Sequence, residues 1–332
     1  MQNPIYYMQH ALNLANSGLG RVYPNPSVGC VFVKDGIVVG VGCTAIGGRP
    51  HGEAVALSIA GADSHGATVY VTLEPCAHSC QTPSCSDSLI KAGIKKCYIA
   101  TLDPDPRTNG LGAKKLTDAG IEVITGLLEE QAISVNKGFF SKIIKNRPLF
   151  CAKIAMSADG KIALSNNESK WITGDSARRY GHYLRASFDA IIVGAATVRA
   201  DNPSLSCRLN GCENQSPVRI VLGKNIPQDS KILTDGNPTH VLDGDVQDIA
   251  QQLAKMGFTR VLIEGGATTI TNFMNAGLID ELALFSAPKI MGADSKNSIG
   301  NLGLLDMQNV AQYKRLKTKK LGDDIYTLLT KD

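Results

Sequence analysis

Two α/β domains meeting near residue 147 are the fold class that this sequence predicts. Three observations carry the prediction: a hairpin followed by helix–strand alternation over residues 29–126, a second alternation over 149–287, and an Asn146-Arg147-Pro148 break between them. A hairpin supplies antiparallel strands and helix–strand units supply parallel ones. The first domain, 1–146, is therefore expected to be a three-layer α/β/α sandwich around a mixed sheet. The second, 147–332, is expected to be another α/β domain. At 332 residues the chain is too long for one ordinary core.

Taken in order, residues 4–17 present Ile5, Met8, Leu12 and Ala15 on one helical face. The segment GCVFVKDGIVVGVG at 29–42 reads as two strands turning at Asp35-Gly36, a dipeptide suited to a tight hairpin turn. Helix 51–60, strand 67–73, helix 85–92, strand 95–101, helix 111–119 and strand 121–126 follow, and 127–145 closes the domain as one helix. After the break come strands at 149–157, 188–193, 218–222, 260–264 and 281–287, with helices at 175–186, 246–256 and 267–276. A last hairpin over 313–330 turns at Gly322-Asp323-Asp324.

Composition narrows the function classes. With 43% hydrophobic and 19% charged residues the chain has the make-up of a globular protein. Its longest apolar runs, such as VGCVFV at 28–33, are strand-length and far short of a membrane span. The opening MQNPIYYMQHALNLA lacks a basic region followed by an apolar stretch, so a cytoplasmic enzyme is expected. Lys/Arg and Asp/Glu number 12 and 11 in residues 1–146, and 22 and 19 in residues 147–332. Neither half is a basic lobe, and no run of cations interleaves with aromatics. That argues against a nucleic-acid duplex or a long single strand as partner.

Nine cysteines in a chain without a secretion signal point to metal binding, catalysis or packing before disulfides. Cys30, Cys43, Cys97 and Cys151 sit in apolar, strand-like segments and read as core, while Cys207 and Cys212 carry no clear signal. Cys76, Cys80 and Cys85 instead crowd a polar, proline-containing loop. A catalytic zinc takes three protein ligands and keeps a fourth position for water. The segments HGEAVAL at 51–57 and LEPCAHSCQTPSC at 73–85 each lead from a loop into a helix. Their ligands can converge from two helix N-termini, whose dipoles favour thiolates.

Glu53, two residues after His51, would lie beside such a metal without having to ligate it. That is the place for a group that takes a proton from water and returns it to a leaving amine. The arrangement matches in kind the His-x-Glu and Pro-Cys-x-x-Cys pattern of zinc nucleobase deaminases. It differs in spacing, because Cys76 and Cys85 are separated by eight residues. His78 and Cys80 stay open as competing ligands, and a fourth ligand would make the zinc structural. A lone His-x-Glu would be no more than a solvated helix start.

At these residues the sequence resembles a known family. PNPSVGC at 24–30, HGE at 51–53, LEPCAHSCQTPSC at 73–85 and DPDP at 103–106 are similar to the deaminase half of the bifunctional riboflavin-biosynthesis deaminase/reductase. In that family the long cysteine interval is normal. The resemblance implies a cytidine-deaminase-like sandwich with His51, Cys76 and Cys85 as Zn2+ ligands and Glu53 as proton shuttle. It places Asn25, His78 and Thr82 in loops lining a pyrimidine pocket. Three positions depart from the family pattern: Gly52 stands for alanine, Cys80 for glycine and Ser84 for proline. On helix propensity alone Gly52 costs about 1 kcal/mol, and Cys80 adds a thiol beside the metal.

The resemblance continues through KIAMSADGKIAL at 153–164, residues 169–208 and IEGGATT at 263–269. These are similar to the reductase half, whose fold is dihydrofolate-reductase-like. The resemblance implies NADPH contacts at Met156, Trp171, Thr197 and Asp201, and along Gly265, Gly266, Ala267, Thr268 and Thr269. It implies substrate contacts at Ser169, Arg185, Leu205, Arg208 and Glu264. From the residues alone, IEGGATT is a strand entering a helix through two glycines, where free backbone N–H groups can bind phosphate. It lacks the Gly-x-Gly-x-x-Gly fingerprint. Arg185 and Arg208 suit a sugar phosphate through bidentate hydrogen bonds, or else serve as surface ion-pair partners. Trp171, the single tryptophan, could as easily be core.

The resemblance as a whole implies a homo-oligomeric enzyme acting on small phosphoribosyl pyrimidines, with neither nucleic acid nor membrane as partner. The first step would be hydrolytic deamination of 2,5-diamino-6-(phosphoribosylamino)pyrimidinone, and the second an NADPH-dependent reduction of the product's ribosyl group to ribityl. Two other readings stand beside it. One is a nucleic-acid base deaminase with an accessory domain, and the other a plain reductase carrying a structural zinc module.

Overall fold

Asn3 starts the first helix. Its side chain accepts the Ile5 N–H and Pro4 occupies the first turn, where a missing N–H costs nothing, so α1 (Pro4–Ser17) begins there. The computed structural model describes residues 3–78 and 83–331, and the chain divides into Met1–Asn146 and Arg147–Asp332. The buried seam of α1 is Tyr7, Met8, Ala11, Leu12 and Ala15. Ile5, expected on that face, is 47% exposed, and Tyr7 and Ala11 complete the seam instead.

Strands β1 (Gly29–Lys34) and β2 (Ile37–Cys43) form the expected hairpin, with Asp35 and Gly36 both at positive φ. Helix–strand units follow: α2 (Gly52–Ala60), β3 (Thr68–Val71), α3 (Cys85–Lys91), β4 (Lys96–Ile99), α4 (Leu111–Asp118) and β5 (Glu122–Thr125). The sheet runs β2-β1-β3-β4-β5, antiparallel across its first two joins and parallel across the last two. Cys30 and Phe32 face one apolar cluster with Ala56, Leu89 and Leu116, whereas Val31 and Val33 face another with Met8, Leu12 and Ala132. Both faces of β1 are therefore covered, which is why its sequence is a continuous apolar run rather than an alternation. The result is three layers around a mixed sheet.

The closing helix is two helices, α5 (Glu129–Val135) and α6 (Lys137–Lys145). Asn136 separates them because its buried side chain is committed elsewhere. It donates to the Ser27 carbonyl at 2.9 Å and accepts the Ser27 N–H at 3.0 Å. Apolar periodicity across 127–145 could not show a side-chain contact made 109 residues away.

In the second unit the elements are β6 (Leu149–Ser157), β7 (Lys161–Ala163), α7 (Asp175–Ala186), β8 (Ala190–Gly194), α8 (Ala195–Asp201) and β9 (Val218–Leu222). Then come α9 (Lys231–Thr234), β10 (Thr239–Leu242), α10 (Val246–Lys255), β11 (Arg260–Ile263), α11 (Ala267–Asn275) and β12 (Glu281–Ala287). The chain finishes with β13 (Lys296–Asn297), β14 (Lys314–Leu321) and β15 (Asp324–Thr330). The main sheet has the order β10-β9-β8-β11-β6-β12-β15-β14. It is parallel from β10 to β12, and the C-terminal hairpin adds two antiparallel strands. Strand β14 is exposed along nearly its whole length and carries Lys314, Arg315, Lys317, Lys319 and Lys320, charges that discourage edge-to-edge pairing.

Candidate functional site

Helix α2 lies directly on β2 because two glycines let the backbones touch. A Cβ added at Gly42 would stand 2.3 Å from the Gly52 carbonyl oxygen, and one added at Gly52 would stand 2.3 Å from that of Val28. Gly52 is thus seated by close approach, a term that outweighs its poor helix propensity. The seat fixes the start of α2. His51 is the N-cap residue but makes no side-chain cap, and its ring instead faces the start of α3.

At α3, Ser84 is the N-cap, accepting the Asp87 N–H at 3.1 Å and donating to the Asp87 carboxylate at 2.6 Å. That cap orients Cys85 on the first turn. His51 Nδ1 lies 3.4 Å from Cys85 Sγ and 3.8 Å from Cys76 Sγ, and the Cys85 N–H donates to Cys76 Sγ at 3.2 Å. Among the described residues these three form the one group with metal-ligand chemistry, their donor atoms all within 4.8 Å of one another. A hydrogen bond from the Cys85 thiol, joined by His51, holds Cys76 down to about 4 against the effect of burial. The same contact, together with burial, pushes Cys85 up. Two sulfurs and a ring nitrogen converging in a mostly buried place make a donor set that a cation satisfies, and its composition suits zinc.

Glu53 stands outside the donor group, 4% exposed on the first turn of α2. Its Oε2 is buried without a hydrogen-bond partner among the described residues, a rare condition that marks an atom awaiting one. Burial pushes its carboxyl up to about 7 against the pull of His51. A metal cation in the triad would draw that value down again.

These residues open on a cavity of about 290 Å³ lined by Asn25, His51, Glu53, Glu74, Cys76, His78, Asp103, Asp105, Arg107 and Lys142, among others. Asn25 donates to the Gly48 carbonyl at 2.7 Å, and His78 Nδ1 is 3.4 Å from Thr108 Oγ1. Thr82 and Cys80 lie outside the described residues.

Sequence reasoning missed Glu74. Buried, its carboxylate accepts the N–H groups of Asp103, Gly110 and Ala113 at 3.2, 2.9 and 2.9 Å, and so ties the 103–110 wall to the strand end that carries Cys76. The Ser84-x-x-Asp87 cap had a local signal, while the partners of Glu74 are too distant in sequence to leave one. Glu74→Gln keeps the shape but leaves a donor facing backbone N–H groups. It is expected to raise KM for deamination about tenfold, with zinc content unchanged. An unchanged KM in the folded variant would show that this wall does not matter.

In the second unit, α8 and α11 start side by side at the carboxyl ends of adjacent parallel strands β8 and β11. Thr269 Oγ1 is 2.7 Å from where a Cβ on Gly194 would stand, and Thr197 Oγ1 is 3.4 Å from the same point on Gly266. Thr197, Gly265, Gly266, Ala267 and Thr269 are therefore brought together, with Thr268 exposed on the first turn of α11. Gly266 caps α11 without a side chain, which leaves N–H groups open to an anion.

Next to this loop Arg185 and Glu264 form a two-bond pair, Nε–Oε1 2.8 Å and Nη2–Oε2 2.9 Å, with Lys153 Nζ 3.4 Å from Oε2. Burial would raise the Glu264 carboxyl, but Arg185 and Lys153 hold it well below the usual range. The pair leaves Arg185 without a free fork for a phosphate, whereas Arg208 is exposed. Leu205 is buried at positive φ in the same loop. His182, not foreseen, accepts the Arg208 N–H at 3.3 Å; burial first, then Arg185 and Arg208, pull it down to about 4.

The remaining expected contacts are more scattered. Met156 lies on β6 opposite Ser286 of β12, Asp201 is exposed at the end of α8, and Ser169 is exposed. Trp171 is 66% exposed rather than core, with the Arg178 guanidinium 4.2 Å from its ring. The cavity it lines with Thr173, Pro288 and Lys289 contains none of the other expected nucleotide contacts.

A His-Cys-Cys donor set beside a buried glutamate with one oxygen unpartnered among the described residues, followed by a second α/β domain with a glycine-entered helix, is the arrangement of a zinc deaminase fused to a reductase. Residues 1–101 match the cytidine and deoxycytidylate deaminase zinc-binding region, and residues 148–327 match the RibD C-terminal domain. The riboflavin biosynthesis protein RibD of Aquifex aeolicus is 39% identical over 96% of both chains, and that of Escherichia coli K12 is 36% identical over 96% of this chain and 97% of its own. Among solved structures, the Thermotoga maritima diaminohydroxyphosphoribosylaminopyrimidine deaminase/5-amino-6-(5-phosphoribosylamino)uracil reductase superposes with a TM-score of 0.91, at 33% identity and 99% coverage of each chain. Acinetobacter baumannii RibD gives 0.90 at 36% identity and 98% coverage of each.

The chain belongs to the RibD family of riboflavin-biosynthesis enzymes. It is a bifunctional deaminase and reductase, with a zinc-binding cytidine-deaminase-like half followed by a RibD C-terminal-domain half. Neither the accessory-domain reading nor the plain reductase accounts for both matches. Among the described residues no helix is long and apolar enough to cross a membrane.

Proposed function

We propose that the two halves act in sequence on one phosphoribosyl pyrimidine. The first, residues 1–146, removes the amine from 2,5-diamino-6-(5-phosphoribosylamino)pyrimidin-4-one. The second, 147–332, reduces the ribosyl group of 5-amino-6-(5-phosphoribosylamino)uracil. The observation that carries this reading is the buried Glu53 Oε2 beside the His51–Cys76–Cys85 donor set. These three residues would hold the zinc, with Glu53 left free to carry protons. Zinc, when bound, lowers the pKa of a water in its open position and so makes a nucleophile available near neutral pH. Glu53 would take one proton from the attacking water on its open oxygen and pass it to the ring nitrogen, then take the second from the hydroxyl that the water has become and pass it to the departing amine. Asn25 and His78 orient the ring from the cavity walls; the same role falls to Thr82, which is outside the described residues.

In the reductase half NADPH supplies the reducing equivalents. The chain's own residues bind and orient. Thr197, Asp201 and the 265–269 turn hold the cofactor at the strand ends, with Met156 and Trp171 at its borders. Ser169, Leu205, Arg208 and the Arg185–Glu264 pair hold the substrate, and the exposed Arg208 is the cation placed to meet its phosphate. A cytoplasmic setting and a homo-oligomeric assembly belong to the same reading. The first is supported by the cysteines, all free among the described residues.

Metal removal tests the division of labour. Chain stripped with a chelator is expected to lose ammonia release, to keep NADPH oxidation on the deaminated substrate, and to recover the first activity with zinc. Full ammonia release from metal-free chain would contradict it, as would loss of both activities.

A further inference from the structure

Strand β9 carries an arginine where its neighbours are apolar. Arg219 is fully buried, and its side chain reaches from the strand to Ser204 in one loop, to the 232–237 segment and to the start of β10. Nε donates to Thr239 Oγ1 at 3.0 Å, and Nη1 and Nη2 each meet an Asp235 oxygen at 2.7 Å. Nη2 also donates to the carbonyls of Ile232 and Asn237, and Nη1 to that of Ser204 at 3.0 Å. A buried guanidinium is expensive unless every donor is satisfied, and here each is. An apolar residue of similar size could fill the space at less risk. What it could not do is hold carbonyl oxygens.

The Ser204 contact joins this hub to the reductase site. Two residues on, the Ser206 carbonyl accepts Arg185 Nη1 at 3.0 Å, and the Ser204 and Ser206 hydroxyls are 3.1 Å apart. Cys207 Sγ then contacts the His182 carbonyl at 3.5 Å, and the Arg208 N–H contacts the His182 ring. Between the two anchored carbonyls Leu205 is held at φ 54°, a conformation a leucine does not adopt unaided. The loop is thus pinned by one arginine inside the site and one outside it.

We infer that Arg219, with Asp235, is a positioning residue of the reductase half: it fixes the 204–208 loop so that Leu205 and Arg208 meet the substrate. The inference rests on the assignment of those two residues to substrate. Arg219→Lys keeps a cation beside Asp235 but cannot reach all six acceptors. Loss of the Ser204 anchor is expected to raise KM for the ribosyl substrate about tenfold or more. KM for NADPH and the rate of ammonia release by the other half are expected to stay the same.

Amide exchange over 204–208 is expected to quicken about tenfold while β9 stays protected. Asp235→Asn, at a partly exposed position, carries the same test should the lysine variant not fold. Unchanged loop exchange in either folded variant would overturn the inference. So would quickening spread evenly over the domain with no shift in substrate KM, because that is the signature of a purely structural arginine. Quickening confined to the loop with KM unchanged would uphold the positioning role and overturn instead the assignment of Leu205 and Arg208 to substrate.

Discussion

Glu53→Gln is expected to lower the deamination rate by about 10²- to 10⁴-fold, the range that a positioned general acid–base contributes. Zinc content and NADPH oxidation on the deaminated substrate should not change. The size of the effect follows from where the carboxylate stands. It is buried, one oxygen has no hydrogen-bond partner among the described residues, and it is outside the group of metal donors. Glutamine fills the same volume and can still accept a hydrogen bond, but it cannot take up and return a proton. Metal analysis of the variant separates the two ways of losing activity. Lost zinc would make Glu53 part of the metal's support, and full activity would remove it from the proton path.

Glu264→Gln should strike the other half. The Glu264 carboxylate accepts two hydrogen bonds from Arg185 and a third, longer one from Lys153, with little access to water. Neutralising it leaves two cations facing each other without a counter-charge. Breaking a buried pair in this way costs about 3–5 kcal/mol, to be read from the urea midpoint of the reductase half. Reduction should fail while ammonia release continues.

The pH dependence has a definite sign. The folded carboxyl titrates below its ordinary value of 4.5. The pair's contribution is therefore fully present above about 4.5, where the unfolded group is already ionised, and is lost as pH falls towards the lower folded value. In Glu264→Gln that acid dependence should flatten. An unchanged urea midpoint together with unchanged acid sensitivity would show that the pair is not the support described here.

Much of this was legible beforehand, for identifiable reasons. The Asp35-Gly36 turn, the helix over 4–17 and the strand–loop–helix setting of Cys76 and Cys85 are local, and local chemistry shows in a linear string. The break at Asn136 and the Glu74 brace depend on partners 109 and 29–39 residues away, where periodicity is blind. Two short elements, α8 of seven residues and β10 of four, were not foreseen.

At the reductase site the residue types were visible but not their pairing. By residue type Arg185 suits either a phosphate fork or an ion pair, and only the contact with Glu264 decides for the pair, just as only the close approach to Val28 explains Gly52. Lys153, His182 and Arg219 had no local signal at all. In each case the meaning of the residue lies in a contact across the fold.

The most direct test of the account gives the purified, zinc-loaded chain 2,5-diamino-6-(5-phosphoribosylamino)pyrimidin-4-one and follows ammonia and NADPH absorbance together. Ammonia should appear without NADPH, and NADPH added afterwards should be oxidised in proportion to the ammonia already released. Oxidation of NADPH with no ammonia, or ammonia release that waits for NADPH, would contradict the sequence of deamination followed by reduction.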